Sequence, residues 1–318
     1  MNELWNKPKL LIFVVAYHAE STMASVMRRV PADLTRDYHV ELLIIDDASK
    51  DRTFELSVRE RDAGSYGFPI HVLHNPVNQG YGGNQKIGFH YAIENGFDYV
   101  ALVHGDGQYA PERLPELALL LKAGEADAVL GSRMMERGEA LRGGMPLYKY
   151  VGNKILTWSQ NWLLSSHLSE FHSGYRLYST TALKRIPFDI NTNDFHFDTE
   201  IIIQLMIAQQ RIVELPIPTY YGDEICRVNG MKYAWHVFVT TLKARIQQYG
   251  VLYDRKFDCA PKSSKNAHYA LKLDYRSPHS LAISEIFPGT RVLDIGCAGG
   301  YVGAELRKKG CKVTGIDV

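Results

Sequence analysis

The sequence predicts an α/β protein with a mostly parallel sheet, joined to a partial Rossmann-like βαβ unit toward its C-terminal end. Three observations predict it. Short apolar runs alternate with helix-patterned segments, and apolar runs without polar alternation mark strands covered on both faces. Two of these runs end in acids, "LLIIDDASKDRT" and "DYVALVHGDGQYAPERL", at the edge where an open parallel sheet binds ligands. A late stretch, "GTRVLDIGCAGGYVGAELRKKGCKVTGIDV", reads as strand, glycine turn, helix and second strand.

Taken in order, strands are expected at Leu10–Val15, Val40–Ile45, Ile70–Leu73, Tyr99–Val103, Ala128–Leu130 and Arg211–Leu215. Helices are expected at Thr22–Arg29, Arg52–Arg61, Tyr81–Asn95, Pro111–Ala123, Leu147–Leu164 and Thr199–Gln209. Gly222 to Gly230 is polar and turn-rich. Met231 to Tyr249 follows as an amphipathic helix, with Ala234, Trp235, Phe238, Leu242 and Ile246 at helical spacing. Arg255 to Ser280 reads as a linker. The organisation expected is a main α/β domain over 1–228, a helix over 229–250, a linker over 251–280 and a truncated βαβ unit over 281–318.

A net charge of +1 gives no global pull toward nucleic acid or anionic lipid. The four cysteines show no metal spacing, which points to a reduced, cytoplasmic protein. The N-terminus lacks a basic start and a cleavage site, and the apolar run Leu10–Tyr17 is too short to span a bilayer.

The strand ends carry the chemistry. Gly105 and Gly107 permit a tight turn that leaves Asp106 exposed, and His104 or Gln108 beside it offers nitrogen or oxygen to a divalent cation carrying phosphates. Asp46 and Asp47 suit a nucleobase or ribose, or else Asp46 caps the turn and only Asp47 is exposed. Ser49 and Asp51 are candidates to cap the next helix. Gly80, Gly82 and Gly83 open a helix and allow close backbone approach to a ligand.

These residues resemble family 2 glycosyltransferases of the GT-A fold, the nucleotide-diphospho-sugar transferases, especially the dolichyl-phosphate mannose synthase branch. The resemblance rests on seven motifs in the family's order: "VVAYHAES", "IIDDASKDRT", "NQGYGGNQKIG", "HGDGQYAPE", "LGSRMM", "EFHSGYRLYS" and "RIVELPIP". It implies transfer of a sugar from a UDP- or GDP-sugar to a polyprenyl phosphate or a saccharide, with Mg²⁺ or Mn²⁺. By the same resemblance the metal falls to Asp106, His104 and Gln108. The nucleotide falls to Ala16, Tyr17, Asp46, Asp47, Gly80, Gly82 and Lys86. Arg133, Lys149, Arg227 and Lys232 are the implied cations for the diphosphate and acceptor, the last two in "ICRVNGMKY".

Two departures stand out. Val15-Ala16-Tyr17-His18-Ala19 replaces the family's usual opening, so either Glu20 supplies an acid one position later or that contact is absent. His104 replaces an acid of the metal motif, and either ligates the metal, where imidazole suits Mn²⁺ better than Mg²⁺, or is a strand-end histidine.

A lipid phosphate attacks without a base. A sugar hydroxyl needs one, and Asp198, ahead of Glu200, is the candidate. A phosphate acceptor would place the protein peripherally at the cytoplasmic face of a membrane. The alternative reading is a degenerate module that binds a nucleotide sugar or lipid phosphate without turnover. A nucleotidyltransferase would need a basic glycine-rich signature that "VVAYHAES" lacks.

The tail resembles the first motif of class I methyltransferases, with Asp294, Gly296 and Gly300 in the pattern and Asp317 placed for a ribose. Ala298 stands where the pattern has its middle glycine, and an NAD-type site is the other reading. S-adenosylmethionine is expected to bind only if the remaining strands of such a fold are supplied by a longer, bifunctional protein.

Overall fold

Strand β1 (Lys9–Ala16) occupies the middle of the sheet because Leu10 to Val14 are all apolar and fully buried. It pairs in parallel with β2 (His39–Asp46) on one side and β4 (Tyr99–His104) on the other. Strand β3 (Ile70–His74) extends the sheet beyond β2. The order is β3-β2-β1-β4-β6-β5-β7, with β5 at Ala128–Ser132, β6 at Arg176–Ser179 and β7 at Ile212–Pro216. The computed structural model describes residues 7–64, 66–221, 228–260, 273, 276–297 and 299–317. Its chain divides into two units after Pro261.

Strand β6 is absent from the sequence-based expectation and runs antiparallel to both β4 and β5. Only four residues long and opening on a charged residue, Arg176, it has no apolar run to announce it. The six expected strands are all present, with boundaries shifted by a residue or two.

Helices cover both faces. Leu10, Ile12 and Val14 pack into one layer with α1 (Met23–Arg28) and α4 (Leu114–Lys122), while α2 (Thr53–Ala63) flanks α1. Leu11 and Phe13 pack into the other, with α3 (Tyr81–Glu94), α7 (Thr180–Leu183) and α8 (Phe197–Ile207). Gly88 brings α3 down onto the Phe13 ring, since a Cβ there would lie 2.1 Å from it. The remaining helices of the first unit are α5 (Glu139–Arg142), α6 (Leu147–Leu164) and α9 (Gly230–Gln248).

Helix α9 has the expected extent, and its apolar stripe is not the face that packs. Val237, Thr240, Thr241 and Ala244 are its buried residues, and Trp235 and Phe238 are exposed. The small side chains let α9 lie close on α6 and α8. The expected linker also begins later. Phe257 is buried against Ile203 and Ala244, and Lys256 pairs with Glu200 at 2.6 Å, so this segment belongs to the first unit.

The second unit contains α10 (Pro278–Glu285), β8 (Arg291–Ile295), α11 (Tyr301–Lys308) and β9 (Lys312–Ile316). Strands β8 and β9 pair in parallel around the α11 crossover, the βαβ form expected. Gly303 of α11 packs on Val313, whereas Leu293, Ile295 and Ile316 remain exposed.

Candidate active site

The strand order reverses direction between β1 and β4, which makes the crevice at their C-terminal ends the expected ligand site. Val15 aligns with His104, and Ala16 with Asp46, so three strand ends meet there. Two loops at this edge hold non-glycine residues in the left-handed region, His18 at φ 52° and Ala48 at φ 57°. Such strain persists only where surrounding bonds fix it, and it clusters at functional sites. Here Ser49 Oγ accepts from His18 N at 2.8 Å and itself donates to Asp46.

Asp46 and Asp47 are both buried, so the alternative in which only Asp47 is exposed does not hold. Asp46 bonds His74 Nδ1 at 2.8 Å. Asp47 accepts from Asn75 Nδ2 and Gln79 N at 2.8 Å and from Gly80 N at 3.0 Å. Their carboxylates shape the loops that would face a nucleotide. Of the two expected caps, Asp51 accepts from Thr53 N at 3.1 Å, whereas Ser49 serves Asp46. Glu20 accepts from Arg52 N at 3.1 Å and so ties the two loops together. Ala16 is buried and contributes its carbonyl to Asp47 N, while Tyr17 is exposed at the rim.

The glycine-rich helix start is also explained by the protein itself. A Cβ at Gly82 would lie 2.4 Å from Thr192 O, and one at Gly80 2.6 Å from Asn193 O. A close backbone approach is thus made by the segment before α8. Lys86 is likewise committed to that segment, donating to Asn191 O and to Asn193 Oδ1.

Asp106 is exposed, as expected, and one carboxylate oxygen accepts from Gln108 N at 3.0 Å. His104 packs edge-on to Tyr81 and Tyr109 and against Gly174. Burial holds its pKa below the ordinary histidine value, against the pull of Asp106 and Asp198. Its tautomer follows from the network. The single Tyr81 hydroxyl proton goes to Asp198 Oδ2 at 2.8 Å, so His104 Nε2, 3.2 Å away, donates to Tyr81. Nδ1 is left with its lone pair.

Asp198 is not placed as a base. It is only 5% exposed, and its oxygens accept from Tyr81 and from Gln85 Nε2 at 3.2 Å and pair with Arg176 at 3.4 Å. Arg176 is fully buried and also donates to the Asp198 and Phe171 carbonyls. Asp198 therefore orients Tyr81, and through it His104.

Arg133 is neither a surface charge nor a free cation. It is buried against Glu170 and donates to Tyr221 Oη at 3.2 Å and His172 O at 3.2 Å. Burial alone would raise the Glu170 carboxyl, but Arg133 overrides this and holds it below the usual range. Asn153 of α6 donates to the same carboxylate at 2.7 Å. Lys149 lies over the Tyr221 ring, 4.9 Å from its centroid, so α6 starts beside Arg133. Lys232 is exposed in the first turn of α9. Arg227 lies outside the described residues.

Tyr81, Glu170, His172 and Arg176 were missed as individual residues, although the last three stand in "EFHSGYRLYS". In the second unit Gly296 and Gly300 adopt φ values of 77° and 74°, and Asp294 and Asp317 lie toward the same end of the β8–β9 pair.

The fold is shared with glucosyl-3-phosphoglycerate synthase of Mycobacterium tuberculosis, at a TM-score of 0.56, 16% identity and coverage of 78% of this chain and 82% of that one. In sequence the chain is 30% identical over 183 residues to an undecaprenyl-phosphate mannosyltransferase of Micrococcus luteus, covering 56% of this chain and 70% of that protein. It is 31% identical over 219 residues to the low-salt glycan biosynthesis hexosyltransferase Agl6 of Haloferax volcanii, covering 68% of this chain and about half of that protein, 49%. A polyprenol monophosphomannose synthase of Mycolicibacterium smegmatis is 25% identical over 214 residues, covering 66% of this chain and 76% of that protein. The profile of Glycosyl transferase family 2 matches residues 11–186, and the chain belongs to that family.

Proposed function

We propose that this glycosyltransferase moves a hexose from a UDP- or GDP-sugar to a polyprenyl phosphate at a membrane surface, with a divalent cation at the end of β4. The observation that carries the acceptor is helix α6. Its inner face is largely polar, with Asn153, Thr157 and Gln160 buried beside Leu163, and its outer face is apolar. Tyr148, Val151, Ile155, Trp158 and Trp162 recur at helical spacing, and the two tryptophans are 69% and 71% exposed. An apolar stripe that faces outward is inverted for a globular helix, and tryptophan is favoured at the lipid–water boundary. Trp235 and Met231 of the packed α9 are exposed as well. Among the described residues no helix is long and apolar enough to cross a membrane.

The locked state of Asp198 supports the same acceptor, because a phosphate oxygen is already anionic and needs no base to attack. The undecaprenyl-phosphate mannosyltransferase and the polyprenol monophosphomannose synthase among the relatives agree with this acceptor class by name. The fold neighbour has been seen with Mn²⁺ and UDP-glucose, at a TM-score of 0.53.

Asp106 and His104 fit a divalent cation by their chemistry. Asp106 offers a carboxylate oxygen, and the Tyr81 bond fixes His104 with Nδ1 unprotonated; Gln108 is the third candidate. When bound, the cation would neutralise charge on the departing diphosphate. Tyr81 and Asp198 hold the imidazole tautomer, and Glu170 holds Arg133 with its guanidinium by Tyr221. Lys149, Lys232 and Arg227 are the remaining cations for the phosphates. In the second unit, Asp294, Gly296, Gly300 and Asp317 are read as the start of a methyltransferase-type cofactor motif. The bare face of Leu293, Ile295 and Ile316 argues against S-adenosylmethionine binding by this unit alone, and calorimetry checks it.

The test is an acceptor panel with labelled UDP- and GDP-hexoses. Label should pass into polyprenyl phosphate, in an organic-extractable product, and not onto free saccharides. Transfer to saccharide hydroxyls alone would refute the acceptor, and donor binding without any transfer would mark a binding module instead.

A further inference from the structure

Asp194, His196 and His236 form a cluster apart from Asp106. The first two lie in the turn that leads into α8, and the third lies on α9. One ligand-type atom from each stands within 4.8 Å of the others, and all three residues are half-buried. His236 Nδ1 is 4.0 Å from Asp194 Oδ2, and the two imidazole rings meet edge to face with centroids 4.7 Å apart. Neither ring donates or accepts a hydrogen bond within the usual distance among the described residues.

The turn is fixed before any ion arrives. Asp194 Oδ1 accepts from Phe195 N at 2.8 Å, and Asp194 N donates to Thr192 Oγ1 at 3.1 Å. Asn193 O accepts from Gly82 N at 2.8 Å. One side of the cluster is therefore a braced loop and the other a long helix. A cavity of about 210 Å³ opens beside it, lined by His196 and His236 together with Glu200, Asp254 and Lys256.

We propose that Asp194, His196 and His236 bind a divalent transition-metal cation of the zinc type. Two imidazoles and one carboxylate suit such an ion and disfavour Mg²⁺ or Ca²⁺, which take oxygen ligands. Tetrahedral ligands at about 2.1 Å from the ion stand roughly 3.4 Å apart, so no pair of the cluster has to contract by more than about 1.4 Å. Three protein ligands leave a fourth position, which the cavity can supply with water. The ion would tie two walls of the transfer site. Phe195 stacks on Tyr81 with centroids 5.3 Å apart, and Tyr233 of α9 bonds His172 at 2.9 Å. The assignment uses none of the residues given to the donor, so it stands or falls apart from the proposed transfer.

The experiment uses the metal-stripped chain carrying Asp106→Ala, which removes the other cation site from view. Titration with Co²⁺ should show one equivalent bound, with the visible absorption of a four- or five-coordinate site, and Zn²⁺ should displace it. Adding His236→Asn or Asp194→Asn should weaken Co²⁺ binding by at least about tenfold, with the far-ultraviolet dichroism unchanged. Two variants on different elements guard against one failing to fold. No bound Co²⁺ in Asp106→Ala, or an affinity in both further variants undiminished from that of Asp106→Ala, would overturn the proposal.

Discussion

Acidification should destabilise the first unit through His172. Its Nε2 is buried without a partner among the described residues, and Nδ1 bonds Tyr233 Oη at 2.9 Å. Burial, with Arg133 and Arg176 adding to it and Glu170 opposing, lowers the ring's pKa from 6.5 to about 4. An unfolded ring titrates near the ordinary value, so above that value both states are neutral and nothing is lost. As pH falls from 6.5 toward 4 the unfolded chain takes up a proton that the folded protein refuses, and stability drops. The full effect is about 3 kcal/mol, and roughly 2 kcal/mol of it is lost by about pH 5. Urea unfolding at pH 7 and pH 5, in the native chain and in His172→Gln, isolates the term, because other titrating groups act in both proteins. The native chain should lose roughly 2 kcal/mol more than the variant between the two pH values. Equal losses would refute the reasoning.

Glu170→Gln leaves Arg133 buried without its counter-charge and should cost about 3–5 kcal/mol in urea unfolding, while an unchanged midpoint would show the pair to be solvated. Tyr81→Phe removes the hydroxyl shared by His104 and Asp198, so stability should fall by about 1–3 kcal/mol. Manganese-dependent nucleotide affinity should fall with it, and a variant that loses neither contradicts the network. Replacing Trp158 and Trp162 with serine should abolish co-sedimentation with anionic vesicles and leave the thermal midpoint unchanged. If the native chain stays in the supernatant and the same substitutions dissociate a dimer, the α6 face pairs two copies instead.

The parts of the molecule legible in the sequence are those set by local pattern. Continuous apolar runs located β1, β2 and β4, and the glycines around Asp106 located its exposed turn. What pattern could not reach depends on distant partners. Arg176 begins a strand because the Asp198 carboxylate and three backbone carbonyls, of Ser173, Asp198 and Phe171, receive its charge in the interior. Asp198 reads locally as an acid at a helix start, and only the packing shows that Tyr81, Gln85 and Arg176 consume it. Gly80 and Gly82 signal a close approach correctly, but a sequence does not say whether a ligand or Thr192 and Asn193 make it. The apolar stripe of α9 does not say which face of the helix packs, because α6 and α8 press close enough to select Val237, Thr240, Thr241 and Ala244 instead.

The central claim is that the end of β4 seats the donor's diphosphate on a cation held by Asp106. Calorimetric titration of UDP and GDP into the chain, with and without Mn²⁺, tests it without knowledge of sugar or acceptor. One nucleotide should bind at least about tenfold more tightly with Mn²⁺, and Asp106→Ala should lose that increment while folding normally. An Asp106→Ala protein that keeps the full manganese-dependent increment would contradict the account.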